Sequence, residues 1–189
     1  MKSIIGGIVG GVILFGWSFL AWVILPLHEP TLHKISDEEA VVSALQSHLG
    51  EKGVYALRKN PGMNDKAAMD AWTEKVKRGP NGLIAYDPAG SDPMMPGQMA
   101  VGLVLDILAA WIACWFLARS IALNAPYLAR VAYCGMFGVF ISVFSHLMAW
   151  NWMGFPVDYT SAMIIDSMVG WILAGLGIAA IVKAPRLTL

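Results

Sequence analysis

Four apolar stretches dominate this chain, and each is as long as a membrane crossing. They run over Ile4–Leu27, Met99–Leu117, Leu128–Trp150 and Ala162–Val182. A bilayer core about 30 Å thick is spanned by roughly 20 helical residues, each rising about 1.5 Å. In hydrocarbon the backbone must satisfy its own hydrogen bonds, so such stretches become helices. Only 14% of residues are charged and 57% are hydrophobic, with a mean hydropathy of +0.60. The charged share is about half that of a soluble domain. These features predict an all-α membrane protein: a first transmembrane helix within 1–27, an insert over 28–95, and helices two to four within 96–189. The first run follows Lys2, as a signal peptide would. Its apolar core is too long for one, however, and it ends in WVILPLH with no small-x-small cleavage site, so a retained helix is expected.

Orientation follows from Lys and Arg in the short connections. Lys2 precedes the first helix, Arg119 and Arg130 flank the turn between the second and third, and Lys183 and Arg186 follow the fourth. The turn NWMGFPVDYT between the third and fourth helices holds Asp158 and no base. Both termini are therefore expected in the cytoplasm, with the insert in a periplasm or extracellular space. A net charge of zero leaves no electrostatic footprint for nucleic acid.

The insert reads as a small α+β unit. In ISDEEAVVSALQSHLG, Ser36 is expected to cap a helix with Glu39 completing a capping box, and Gly50 to stop it. Val41, Ala44, Leu45 and Leu49 supply its apolar face. In NDKAAMDAWTEKVKRG, Asn64 is expected at the cap and Gly79 at the stop. Met69, Trp72 and Val76 form the stripe, and Lys77 and Arg78 sit in the last turn, as the helix dipole favours. VYALR at 54–58 and LIAYD at 83–87, each following a glycine, are expected to pair as a small sheet. The run DPAGSDPMMPGQ is a proline-rich turn back to the membrane.

Two acids lie inside the apolar runs: Asp106 in VGLVLDILAAW and Asp166 in SAMIIDSMVGW. A carboxylate in hydrocarbon is costly and marks a place where function is sought. Counted from the outer helix ends, Asp106 is about 14 Å deep and Asp166 about 9 Å. His146 precedes Trp150 near the outer end of the third helix, and His28 ends the first. Each intramembrane group shares a helical stripe with small residues: Asp106 with Ala109, Ala110, Ala113 and Cys114; Asp166 with Gly170, Ala174 and Gly177; His146 with Ser142, Gly138 and Gly135. Small stripes are where membrane helices approach closely, so Asp106, Asp166 and His146 are expected to face one another inside the bundle. Such a cluster fits three roles: a hydrogen-bonded structural feature, a proton or ion relay, or a metal site of two carboxylates and an imidazole. Two acids brought close would not both stay charged.

Other features carry less. Met94, Met95, Met99, Met148, Met153, Met163 and Met168 share the outer half, and thioethers select Cu(I), but no tight Met or His cluster anchors that chemistry. Cys114 and Cys134 both fall in apolar runs, and there is no Cys-x-x-Cys or zinc spacing. The glycine-rich start SIIGGIVGGVILFG lacks the Lys-Ser/Thr end of a phosphate loop. Its Gly6/Gly10 and Gly7/Gly11 pairs, with Gly138, Gly170 and Ala174, are helix-packing positions. Trp150, Trp152, Phe155 and Tyr159 form an outer aromatic belt. The second and fourth helices share Asp-x-x-x-x-Trp-Ile at an offset of 60 residues, which suggests a repeat of helical hairpins. The Trp of that motif lies about 140° round the helix from the Asp and is expected to face outward or toward another neighbour.

GWSFLAWVILPLH, AVVSAL with GVYAL, PMMPG, and WNWMGFPVDYT followed by an Asp and GWILAG together resemble a group of uncharacterised bacterial four-helix integral membrane proteins with a periplasmic insert. The resemblance implies a bacterial inner-membrane location and carries no activity. No Ser/His/Asp, Cys/His or zinc arrangement points to an enzyme. The expectation is an accessory or structural subunit of a larger inner-membrane complex, without its own catalysis or cofactor. It would pack against lipids and other membrane subunits or a second copy of itself. The rival expectation is a small proton, ion or metal transporter or binding protein using Asp106, Asp166 and His146.

Overall fold

A computed structural model describes residues 1–184; Arg186, one of the charges that set the expected orientation, lies outside them. In chain order the helices are α1 (Lys2–Phe19), α2 (Glu38–His48), α3 (Lys66–Arg78), α4 (Pro96–Arg119), α5 (Tyr127–Ile141), α6 (Met148–Met153) and α7 (Val157–Ile181), with strands β1 (Gly53–Leu57) and β2 (Gly82–Tyr86). Two π-helical turns, Leu20–Ile24 and Ser142–Leu147, prolong α1 and join α5 to α6. Four stretches are long and apolar enough to cross a membrane: Lys2–Ile24, Pro96–Arg119, Tyr127–Met153 and Val157–Ile181. This is a mostly α membrane fold with a small two-stranded sheet. The chain divides into one compact unit of Met1–His33 with the residues from Met94 onward, and a second of Lys34–Pro93. Residues 28–33 and 94–95, expected in the insert, thus belong with the membrane helices.

In the membrane unit α1 lies between α4 and α7, and α5 packs on the far side of α7. Glycines set these spacings. A Cβ at Gly7 would lie 2.9 Å from the Cα of Trp111, and one at Gly11 would overlap the backbone of Ile107, so α1 meets α4 backbone to backbone. Gly6 faces Cys114 and Val182, and Gly10 faces Ile178 and Ala110. On the α5 side, Gly138 faces the carbonyl of Ser167, and Gly175 faces Cys134 and the carbonyl of Val131. Such close approach maximises dispersion contacts, which hold helices together in lipid. Ala110, Ala113, Cys114, Leu117, Ala174 and Ile178 are fully buried in the resulting core. Both cysteines are free and buried.

Where α7 ends, Arg130 closes the packing. Its guanidinium donates to the carbonyls of Ala125 (2.6 Å) and Ala179 (3.0 Å). Ala179 belongs to the last turn of α7, whose carbonyls lack intrahelical partners and attract positive charge.

α7 begins at Val157, five residues before the expected Ala162. Gly154, with φ +74°, ends α6 in the left-handed region, and Pro156 then opens α7. The earlier start places Asp166 about nine residues into its helix, roughly 14 Å, matching the depth of Asp106 in α4.

In the 34–93 unit β1 and β2 pair antiparallel, Tyr55 opposite Ile84. Lys52 and Asp87 close the open end of this hairpin at 2.6 Å. The Lys52 ammonium, with the amide of Ala89, holds the Asp87 carboxyl below the usual carboxylate range. Both insert helices start one residue later than expected, because Asp37 and Asp65, not Ser36 and Asn64, are the caps. Each carboxylate accepts from the amide three residues on, Ala40 (3.1 Å) and Ala68 (3.0 Å), the usual way of satisfying a free first-turn donor. α2 ends at His48 with an extended Leu49, ahead of Gly50. Gly79 ends α3 with φ +64°, as expected.

Candidate functional site

Asp166 of α7 is the hub of a polar cluster in the membrane unit. Gly170, one turn further along α7, leaves room for the Trp17 ring: a Cβ there would lie 2.9 Å from Trp17 Cδ1. Laid in this gap, the indole N–H donates to Asp166 twice, to Oδ1 at 2.6 Å and to the main-chain carbonyl at 3.0 Å. The other carboxyl oxygen, Oδ2, lies 3.1 Å from His28 Nε2.

His28 reaches this point because the chain turns back after α1. The π-helical turn Leu20–Ile24 carries Trp22, whose ring stacks on His28 at 3.8 Å and 8°. A short 3₁₀ turn, Glu29–Thr31, then holds the segment, with Thr31 donating to the His28 carbonyl from both its hydroxyl and its amide. His28 is 1% exposed, and its Nδ1 has no hydrogen-bond partner among the described residues.

Asp106, on α4, shares a cavity of about 200 Å³ with Asp166, between Trp17, Ser18, Ser167 and Trp171. Among the described residues no hydrogen bond or ion pair engages its side chain. With two carboxyls, two hydroxyls and volume for several waters, the cavity meets the requirements for hydration. His146 does not touch either acid. It sits on the second π-helical turn and shares a 2.8 Å hydrogen bond, through Nε2, with the hydroxyl of Ser167, next in sequence to Asp166. Of the three residues expected to meet, Asp106 and Asp166 therefore face one cavity, and His146 is joined to it through Ser167. π-helical turns recur at functional sites because the wider turn redirects side chains. Here they carry Trp22 and His146.

A neutral imidazole has one N–H and one bare nitrogen. If Nε2 carries the hydrogen, it donates to an ionised Asp166 and Nδ1 is a vacant acceptor. If Nδ1 carries it, Nε2 accepts from a protonated Asp166. The pair thus has two neutral-imidazole forms that differ by the protonation of Asp166.

Sequence reasoning placed His28 at the right end of its helix but not beside Asp166, and it missed Trp17 and Ser167. The signal for His28 was its position directly after an apolar run ending in Pro26–Leu27. Among the described residues no group of three or more His, Cys, Asp and Glu side chains is placed to hold a metal ion. Met94, Met95, Met99, Met148, Met153 and Met168 are exposed, so they do not converge as soft ligands. The shared Asp-x-x-x-x-Trp motif diverges in packing. Trp111 is 41% exposed, whereas Trp171 is 6% exposed and stacks on Phe137 at 5.2 Å. The difference follows from position, since α7 has neighbours on both sides and α4 packs mainly on α1. A larger cleft of about 560 Å³ lies in the 34–93 unit among Arg58, Lys59, Trp72 and Lys75, and no acid lines it among the described residues. Compared with protein-family models, curated proteins and solved structures, this chain matches none.

Proposed function

We propose that this is a proton-handling protein of the bacterial inner membrane, binding and releasing protons at Asp166 and Asp106 without covalent catalysis. The observation that carries this reading is the shared cavity: two carboxyls face it within the helices, one of them held by a buried histidine with a vacant nitrogen. Intramembrane acids that face the bundle interior are the usual elements of proton relays. The excess of Lys and Arg in the short connections supports cytoplasmic termini and a periplasmic 34–93 unit.

The reading as an accessory subunit drew on small-residue faces available to partner helices. Gly6, Gly7, Gly10, Gly11, Gly138, Gly170 and Ala174 are occupied within the chain itself, which removes its main motivation. The exposed apolar flanks of the helices suit lipid.

Infrared titration of the purified chain in lipid nanodiscs tests the proposal. A carbonyl band from a protonated carboxyl is expected to rise and fall with pH, and Asp166→Asn and Asp106→Asn should each remove part of it. Titration identical to wild type in both variants would overturn the assignment.

A further inference from the structure

A second cavity, of about 190 Å³, lies beside the turn between α6 and α7. Ser145, His146, Phe155, Tyr159, Thr160 and Met163 line it. It shares no lining residue with the cavity of the two acids. One hydrogen bond joins their walls: His146 faces the turn-side cavity, Ser167 faces the acid cavity, and Nε2 and Oγ are 2.8 Å apart. Below this link α5 and α7 are pressed together, since a Cβ at Gly138 would lie 2.7 Å from the Ser167 carbonyl.

Resting on the proton-binding reading above, we propose that His146 and Ser167 are the proton inlet of the acid cavity. A proton enters on the bare nitrogen of the His146 imidazole from the turn-side cavity. The imidazolium passes its Nε2 hydrogen to Ser167 Oγ, and the hydroxyl releases its own hydrogen to an Asp106 or Asp166 carboxylate, directly or through cavity water. One proton goes in and one comes out; the hydroxyl is restored, and the imidazole returns to its first tautomer through exchange with water. The titratable groups facing this route are Asp166 from α7, Asp106 from α4, His28 from the segment after α1, and Tyr159 from the first turn of α7. No Lys or Arg lines either cavity, so no fixed positive charge opposes the incoming proton. The Asp158–His33 pair, at 3.7 Å, is exposed at the start of α7 and lines neither cavity.

Time-resolved infrared spectroscopy after a pH jump, on the full chain in nanodiscs, tests the inlet. Ser167→Ala should slow the appearance of the carboxyl band at least tenfold. Ser167→Thr, which retains a hydroxyl, should restore the rate and controls for folding. His146→Ala should be equally slow, and imidazole added to the buffer should accelerate it. An unchanged rate in Ser167→Ala, with Asp166→Asn still losing its band, would overturn the inlet and spare the proton site. Asp166→Asn and Asp106→Asn both titrating like wild type would overturn the two together.

Discussion

The imidazole of His28 meets the carboxyl of Asp166 across 138 positions of sequence, Nε2 to Oδ2 at 3.1 Å. With the indole of Trp17 on the other oxygen, the carboxyl has both oxygens engaged by groups from the α1 side of the bundle. The pair therefore ties α1 and its following segment to α7. Structural and functional roles at this residue separate by substitution, because they depend on different properties of the side chain.

Asp166→Leu should destabilise the protein, whereas Asp166→Asn should be mild. Leucine leaves the Trp17 N–H and the His28 nitrogen buried without partners, a loss of about 1–3 kcal/mol per group. Asparagine still accepts from Trp17 and offers an N–H to His28 in its Nδ1–H tautomer. Thermal unfolding in detergent should show a fall of roughly 5 °C or more for leucine and little change for asparagine. Equal midpoints for the two variants would show that the hydrogen bonds contribute nothing net.

Glycines on α1 should divide by what they face. Gly11→Ala puts a methyl group onto the backbone of Ile107, which cannot rotate aside. Such overpacking costs about 1–3 kcal/mol. Gly16→Ala meets nothing within 4 Å and should be neutral or stabilising by up to about 1 kcal/mol through helix propensity. Unfolding of the two single variants, compared side by side, measures the contrast; equal stability would refute the close α1–α4 seam.

Arg130→Met should loosen the end of α7. It removes two charge-assisted bonds to main-chain carbonyls, each worth about 1.5–3 kcal/mol. Arg130→Lys should recover only part of the loss, because an ammonium lacks the planar fork that reaches both acceptors. Amide hydrogen exchange over residues 176–182 is the measurement, with protection expected to fall most in the methionine variant.

Hairpin stability in the 34–93 unit should weaken in acid. Lys52 holds the Asp87 carboxyl below its ordinary value of 3.8, so the folded state binds this proton less readily than the unfolded state. The resulting stabilisation is fully present above the unfolded value. It is lost as pH falls through the folded one. It is small, because both groups are solvent-exposed and screened. An NMR titration of the Asp87 carboxyl carbon in the full chain should show a midpoint below 3.8 that moves up in Lys52→Met. An unmoved midpoint would dismiss the ion pair as its main cause.

The insert shows how far local signals reach. Both helices and both strands were legible, because periodicity, caps and stops act over a few neighbouring residues. The caps slipped by one because Ser36–Asp37 and Asn64–Asp65 each offer two competent capping side chains in a row. The choice depends on which oxygen reaches the amide three residues on, a matter of backbone geometry. The Trp pair marks the limit of such signals: Trp111 faces outward and Trp171 faces Phe137, yet the shared motif does not say which is buried, because burial depends on how many neighbours a helix has.

What the sequence determined alone was the set of spans, the small α+β insert, and the presence of two acids on inward, small-residue stripes. These follow from hydrophobicity and helical period, which are properties of each segment by itself. The tertiary structure decided which groups meet. Asp166 is paired with His28 and Trp17 because α1 lies between α4 and α7, because Gly170 admits an indole, and because a widened turn sends the chain back over the site. His146 stands one hydroxyl away from the acids because α5 widens at Ser142 after pressing on α7 at Gly138. Contacts of this kind depend on backbone separation between segments 21 to 149 residues apart, which no local pattern encodes.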